Sequence, residues 1–371
     1  MPSQASAPGR VINAWGTATP FGVSRSDDAV AQAACAMLGR YVVMEQLQAH
    51  AGRRIARWSG AEAGCVTHCT AAAITLSVAA CMAGTDPQRV ARLPDSDGMP
   101  SRVPLLAAHA VHYGQAITQA VRLSGATPVL CDSLDALQAA LAGPDVACVL
   151  AVESHLAAGS DGAVTRELVR LAAQAGVPLV LDGAAQDWRV AELVGSGASL
   201  VLVSAQKYLR APTAGLVLGS ASLVAAVDAQ HAGIGRAMKP SKEALAGVIA
   251  ALDLRASVDR EGWRAVQQRK VDRLARAASQ WRGVRASREP DPQGNGFDRL
   301  WLAVDPAVTG FDAASLVQRL RGGEPVVAVA PHRVAQGQIG LELTGLDEGE
   351  VAQLCELLGG CFSSPPPTSL P

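Results

Sequence analysis

Aromatic residues are scarce in this 371-residue chain, at 4%, so alanine and the aliphatics carry a hydrophobic fraction of 49%. Net charge is nearly absent at a formal −1, with a sequence pI near 6.7, which removes the electrostatic case for nucleic acid or an anionic membrane as partner. No span approaches the ~20 uninterrupted apolar residues of a membrane helix, and the first ten residues, MPSQASAPGR, have no apolar core of a secretory leader. A cytoplasmic protein with no membrane and no nucleic-acid partner is therefore expected. There is no internal repeat, and no helix-turn-helix segment precedes the first strand. Cysteine is not lacking, but residues such as Cys81, Cys131, Cys148 and Cys355 sit in apolar segments rather than loops, and read as small buried hydrophobes. Cys65, His68 and Cys69 fall within five residues, yet zinc sites want four ligands in paired sets and no second pair follows. No metal is expected.

What is present is an alternation of short apolar runs with amphipathic segments. The runs at Gly64–Thr67, Pro104–Ala108, Thr127–Cys131, Val146–Val152, Pro178–Asp182, Leu200–Ser204 and Leu216–Leu218 read as strands. Between them, Thr70–Ala83, Gly114–Ser124, Leu134–Leu141, Val164–Ala175 and Trp188–Val194 read as helices. This order predicts an α/β fold with a mostly parallel central sheet, helices on both faces and ligands at the carboxyl ends of the strands. After about residue 235 the character changes. Ser241–Arg282, rich in arginine and free of proline, suits one long connecting helix, and a smaller α/β C-terminal domain follows. Four parts are expected: an N-terminal segment (1–50) packing on the small domain and the site, a large domain (51–237), the connecting helix with the small domain (238–362), and a proline-rich disordered tail (363–371).

The segment LVLVSAQKYLRAPTAGLVLG, residues 200–219, delivers one lysine, Lys207, into a polar turn between two apolar runs. Upstream, PLVLD ends in Asp182. An amine at one strand end with a carboxylate at the end of a neighbouring strand suits pyridoxal phosphate chemistry: Lys207 forms the Schiff base and Asp182 keeps the pyridine nitrogen protonated. The phosphate, carrying close to two negative charges, wants the free amides of a helix N-terminus, and His68, Cys69 and Thr70 open the helix after the first strand. Ser204 and Gln206 flank the lysine as further donors.

The opening VINAWGTATPFG, the stretch Tyr41–Ile74, PLVLDGAAQ and SAQKYLRAPTAGLVLG together resemble fold-type I pyridoxal phosphate enzymes. Within these, the chain is similar to the group holding selenocysteine synthase (L-seryl-tRNA selenium transferase) and D-glucosaminate 6-phosphate ammonia-lyase type proteins. The likeness spans nearly the whole chain. It implies the cofactor pyridoxal 5'-phosphate, a small amino-acid substrate, and a homodimer or higher homo-oligomer whose sites are shared between subunits. It also implies that Thr213, where relatives commonly carry glutamine, reaches a neighbouring subunit's phosphate. A flat side chain from His109–Tyr113 would stack on the cofactor, with His112 the first candidate and His109 the substitute. Asn13 and Thr17 would close over the substrate, Arg210 or Arg333 would grip its carboxylate with a guanidinium fork, and His155 would act as acid or base.

The lysine and the aspartate alone support racemisation, transamination or aldol cleavage equally. The resemblance favours α,β-elimination with release of ammonia and a 2-oxo acid. Selenium transfer is less favoured, since only a short segment precedes the INAWGT motif and no basic face is evident. A non-catalytic cofactor-binding protein is the alternative of a different class.

Overall fold

The computed structural model describes residues 9–157 and 162–363. Its contacts divide the chain into two units: residues 26–257, and the terminal segments up to Arg25 and from Val258 onward. In chain order, β1 (Val11–Ala14) is followed by α1 (Asp28–Leu38), α2 (Met44–Ser59), β2 (Ala63–Thr67), α3 (Thr70–Ala83) and α4 (Pro87–Arg92). Next come β3 (Arg102–Leu106), α5 (Ile117–Leu123), β4 (Thr127–Cys131), α6 (Leu134–Leu141), β5 (Val149–Val152) and α7 (Gly162–Ala175). Then follow β6 (Leu179–Asp182), α8 (Val190–Gly195), β7 (Leu200–Ser204), β8 (Gly215–Gly219), α9 (Ala221–Ala229) and α10 (Lys242–Ser257). The C-terminal elements are α11 (Arg260–Ala278), β9 (Val284–Pro290), β10 (Asp298–Val304), α12 (Pro306–Thr309), α13 (Ala313–Arg321), β11 (Val326–Val329), β12 (Gln338–Leu341) and α14 (Glu348–Ser363).

The larger unit is built on a sheet of order β2-β8-β7-β6-β5, in which β5, β6 and β7 run parallel and β8 is antiparallel to both its neighbours. β3 and β4 form a parallel pair, and a bridge from Arg102 to Val146 joins β3 to the chain entering β5. Every residue of β5, β6 and β7 is buried, as expected of strands covered on both faces. α3 is alanine-rich and buried almost all round, and small side chains let it lie close to the sheet. α2 approaches even more tightly: a Cβ on Gly52 would stand 2.3 Å from the Gly64 carbonyl oxygen.

In the other unit β1 pairs in parallel with β11, and β10 lies between β12 and β9 in an antiparallel sheet. Ile12 and Ala14 of β1 are fully buried with Leu300, Leu316 and Ile339. The N-terminal strand is thus part of this unit's core.

Two sequence expectations change. The boundaries expected at residues 50 and 237 fall at 25 and 257, because α1 and α2 pack on α10 and β2 inside the larger unit. The single helix expected over Ser241–Arg282 is two, α10 and α11, because Asp259 caps a new helix by accepting from the amides of Glu261 and Gly262. The tail expected to be disordered lies, beyond residue 363, outside the described residues.

Candidate active site

The parallel strands bring three chain ends to one sheet edge. Val152 pairs with Asp182, Asp182 with Leu202, and Ser204 with Gly215, which in turn pairs with Thr67 at the end of β2. Lys207 follows β7 in a turn closed by two backbone bonds, Arg210 N–H to the Lys207 carbonyl (3.1 Å) and Ala211 N–H to the Ala205 carbonyl (2.9 Å). Arg210 takes a left-handed backbone (φ +60°) to complete that closure, a conformation that costs a non-glycine residue about 1 kcal/mol or more.

Asp182 is buried, and one of its oxygens accepts the Ala184 amide at 3.1 Å. Desolvation pushes its pKa up to about 6 against the pull of the Lys207 ammonium and that hydrogen bond. Desolvation also lowers the Lys207 pKa, opposed by the charges of Asp182 and Asp187. The lysine Nζ lies 5.6 Å from the centre of the Tyr113 ring. The Tyr113 phenol is raised to about 12, by the protein around it and then by Asp182, while a hydrogen bond with Ser154 opposes the rise. Tyr113 is thus a ring that the structure places beside the lysine; His112 and Tyr113 are both exposed in the same turn. His109 is fully buried, its Nδ1 accepting the Val152 amide at 3.2 Å, which assigns its proton to Nε2. That Nε2 is buried without a hydrogen-bond partner.

At the other end of this edge, Cys69 caps α3 through its sulfur, which accepts from the Ala72 amide at 3.5 Å. The first-turn amides of α3 have no carbonyl within the helix to bond, and the Thr70 hydroxyl oxygen is buried without a partner. His68 departs from expectation: its amide already donates to the Met238 carbonyl at 2.8 Å, and its side chain is exposed. Cys69 and Thr70 are then the residues of the expected cup that remain at the opening of α3. Gly215 holds β8 against it, since a Cβ there would stand 2.5 Å from the Cys69 carbonyl carbon and 2.7 Å from the Thr67 hydroxyl. Ser204, opposite Gly215 in register, is buried; Gln206 is half-buried; Thr213 is exposed. Arg210 forms an ion pair with Asp27 (3.1 Å), and His155 is exposed in the turn after β5.

Beneath the lysine turn stands a group that sequence alone did not reveal. Arg255 of α10 pairs with buried Asp187, donates to the Tyr208 carbonyl and lies 3.8 Å from the Trp188 ring centre. In the other unit, Arg333 gives both arms of its fork to Glu289 (2.7 and 2.8 Å) and covers the Trp301 ring. Asn13 is used in a local turn, accepting from the Trp15 amide and donating to the Gly16 carbonyl, and Thr17 is half-buried. Among the described residues, no three His, Cys, Asp or Glu side chains stand together as a metal site, and no helix is long and apolar enough to cross a membrane.

A lysine and a buried acid stand at the carboxyl ends of adjacent parallel strands in this sheet, and the fold is that of the fold-type I pyridoxal phosphate enzymes. No family model matches the chain. It is 33% identical over 348 residues to D-glucosaminate-6-phosphate ammonia lyase of Salmonella typhimurium (strain 14028s / SGSC 2262), covering 92% of this chain and 93% of that one. It is 34% identical over 358 residues to 5'-C-glycyluridine monooxygenase-decarboxylase of a Streptomyces species, covering 94% and 90%. A solved structure of D-glucosaminate-6-phosphate ammonia-lyase superposes with a TM-score of 0.85 at 32% identity, over 95% of this chain and 96% of that one. The chain belongs to the family of D-glucosaminate-6-phosphate ammonia-lyase.

Proposed function

We propose that this protein is a pyridoxal phosphate-dependent lyase that removes a leaving group from Cβ of a small 2-amino acid and releases ammonia and a 2-oxo acid. The observation that carries it is the Lys207 and Asp182 pair at one strand edge, in a chain aligned over 92% of its length with an ammonia lyase. The residues suit the cofactor. The Thr70 hydroxyl, the first-turn amides of α3 and Ser204 offer donors for a phosphate, and the buried Asp182 carboxylate calls for a cation, which a protonated pyridine nitrogen supplies. When bound, pyridoxal phosphate supplies an electron sink for the pair left at Cα.

The protein's own groups do the rest. A lowered pKa leaves more of the Lys207 amine neutral near pH 7, and only the neutral amine attaches a carbonyl carbon or takes a proton from Cα. Asp182 in its ionised form would hold a proton at the ring nitrogen of that cofactor. Tyr113 offers a flat face on the lysine side, steadied through Ser154. Arg210 and His155, in the same unit as Lys207, are candidate substrate groups. A homodimer or higher oligomer in the cytoplasm is part of the proposal, supported by the exposed apolar side chains of Leu38, Tyr41, Val43 and Met44 and by exposed Thr213.

The test follows ammonia, 2-oxo acid and absorbance together over D- and L-2-amino acids, hydroxy and sugar-acid compounds included. Stoichiometric ammonia and 2-oxo acid from one of them is expected. The relative that is a monooxygenase-decarboxylase supports a second reading, oxidative loss of carbon dioxide. Oxygen uptake with carbon dioxide release and no 2-oxo acid would favour it over elimination.

A further inference from the structure

We propose that Arg255 is a positioning residue for Lys207, bracing the lysine turn from the last turn of α10. Its side chain is 10% exposed and reaches two separate loops at once: one arm pairs with Asp187 in the segment after β6, the other donates to the carbonyl of Tyr208, the residue that follows Lys207. Its flat face lies 3.8 Å from the centre of the Trp188 ring, which fixes the plane of the fork. Asp187 is buried and desolvation pushes its pKa up, a rise opposed first by the Arg255 charge and hydrogen bond and then by the Asp187 and Trp188 amides. Lysine at this position could supply the charge but could not span both partners.

Two distinguishable effects follow. The fork fixes where the lysine turn stands, and the charge favours the ionised form of Asp187, which in turn favours the Lys207 ammonium. The charged groups bearing on that amine are Asp182 and Asp187 from the β6 side, with Tyr113 presenting a ring and Arg255 acting through Asp187. Removing the arginine takes away the largest influence opposing the rise in the Asp187 pKa, so Asp187 is less often an anion and favours the Lys207 ammonium less. Its titration moves to lower pH.

The inference rests on the function proposed above, and its experiment separates the two. The chain has four lysines, Lys207, Lys239, Lys242 and Lys270, so acylation of each in cofactor-free protein can be followed by peptide mapping across pH. Arg255→Met is expected to shift the Lys207 midpoint downward while the other three stay, and to slow the rise of the visible band on adding pyridoxal phosphate roughly tenfold. Arg255→Lys is expected to keep the midpoint but still capture the cofactor slowly. Asp187→Asn, the milder change should Arg255→Met not fold, is expected to shift the midpoint downward as well. Wild-type capture by Arg255→Lys, or an unmoved Lys207 midpoint in both Arg255→Met and Asp187→Asn, overturns the proposal. Failure of the wild-type protein itself to form the band would remove the function instead, and the acylation profiles would still decide the role of Arg255.

Discussion

Asp182 is a residue whose burial is unfavourable in the cofactor-free protein. Its folded pKa of about 6 lies above the ordinary 3.8, so between these values the folded chain holds a proton that the unfolded chain has released. The contribution of this group to stability is therefore complete below about pH 4 and is lost as pH rises through 6, at a cost on the order of 3 kcal/mol at neutral pH. Asp182→Asn is expected to raise the melting temperature of the cofactor-free protein at pH 8, with the gain vanishing near pH 4, and to cut turnover by about 10²-fold or more. A melting difference that does not vary with pH would show that Asp182 is not the group titrating. Lys207 and Asp182 were legible in the sequence because each ends an apolar run, so position and chemistry coincide. Tyr113 was legible only as a segment, since which member of His109–Tyr113 turns toward the lysine depends on His109 docking against the Val152 amide. Arg255 gave no signal, because its meaning arises only where α10 ends beside a turn and a loop far away in sequence.

At the scale of elements, the buried strands were legible from continuous apolar runs, and the edge strand β9 was not. Its residues, Val284–Pro290, are mostly half-buried or exposed, so no apolar pattern marks them, and only pairing with β10 makes them a strand. The division between α10 and α11 turned on one capping aspartate inside a stretch that otherwise reads as continuous helix. The join between β8 and α3 is where an element-level change bears on the site. Gly215→Ala would press a methyl group into the Cys69 carbonyl and the Thr67 hydroxyl, and neither is the end of a flexible side chain. We expect a loss of about 1–3 kcal/mol in denaturant unfolding, by overpacking, together with weaker retention of pyridoxal phosphate on dialysis, because α3's first turn must shift. Weaker retention without loss of stability would mean that the helix end moves freely. Loss of stability with unchanged retention would mean that the cup lies elsewhere.

For the whole molecule, the chain's two ends belong to one unit and its middle to the other, so a change near residue 12 should be felt near residue 330 rather than near residue 66. Ile12 is fully buried, paired with Val327 in register and surrounded by the core of β10, β11 and β12. The same terminal segment is held further along, where Arg25 gives both arms of its fork to the buried carboxylate of Glu350 (2.8 and 2.9 Å). It is held again at Gly16, whose left-handed backbone passes so close to Glu342 that a Cβ would stand 2.3 Å from its carboxylate oxygen. Truncating Ile12 to alanine leaves a cavity beneath the strand that pairs with β11, at a cost of about 2–4 kcal/mol. Hydrogen exchange should then show protection falling in β10, β11 and β12 while β5, β6 and β7 keep wild-type protection, because the cavity opens one cooperative unit and not the other. The visible band formed with Lys207 should persist in the same sample. A uniform fall in protection across both groups of strands would mean that the two units unfold as one, and the division seen in the contacts would then carry no energetic weight.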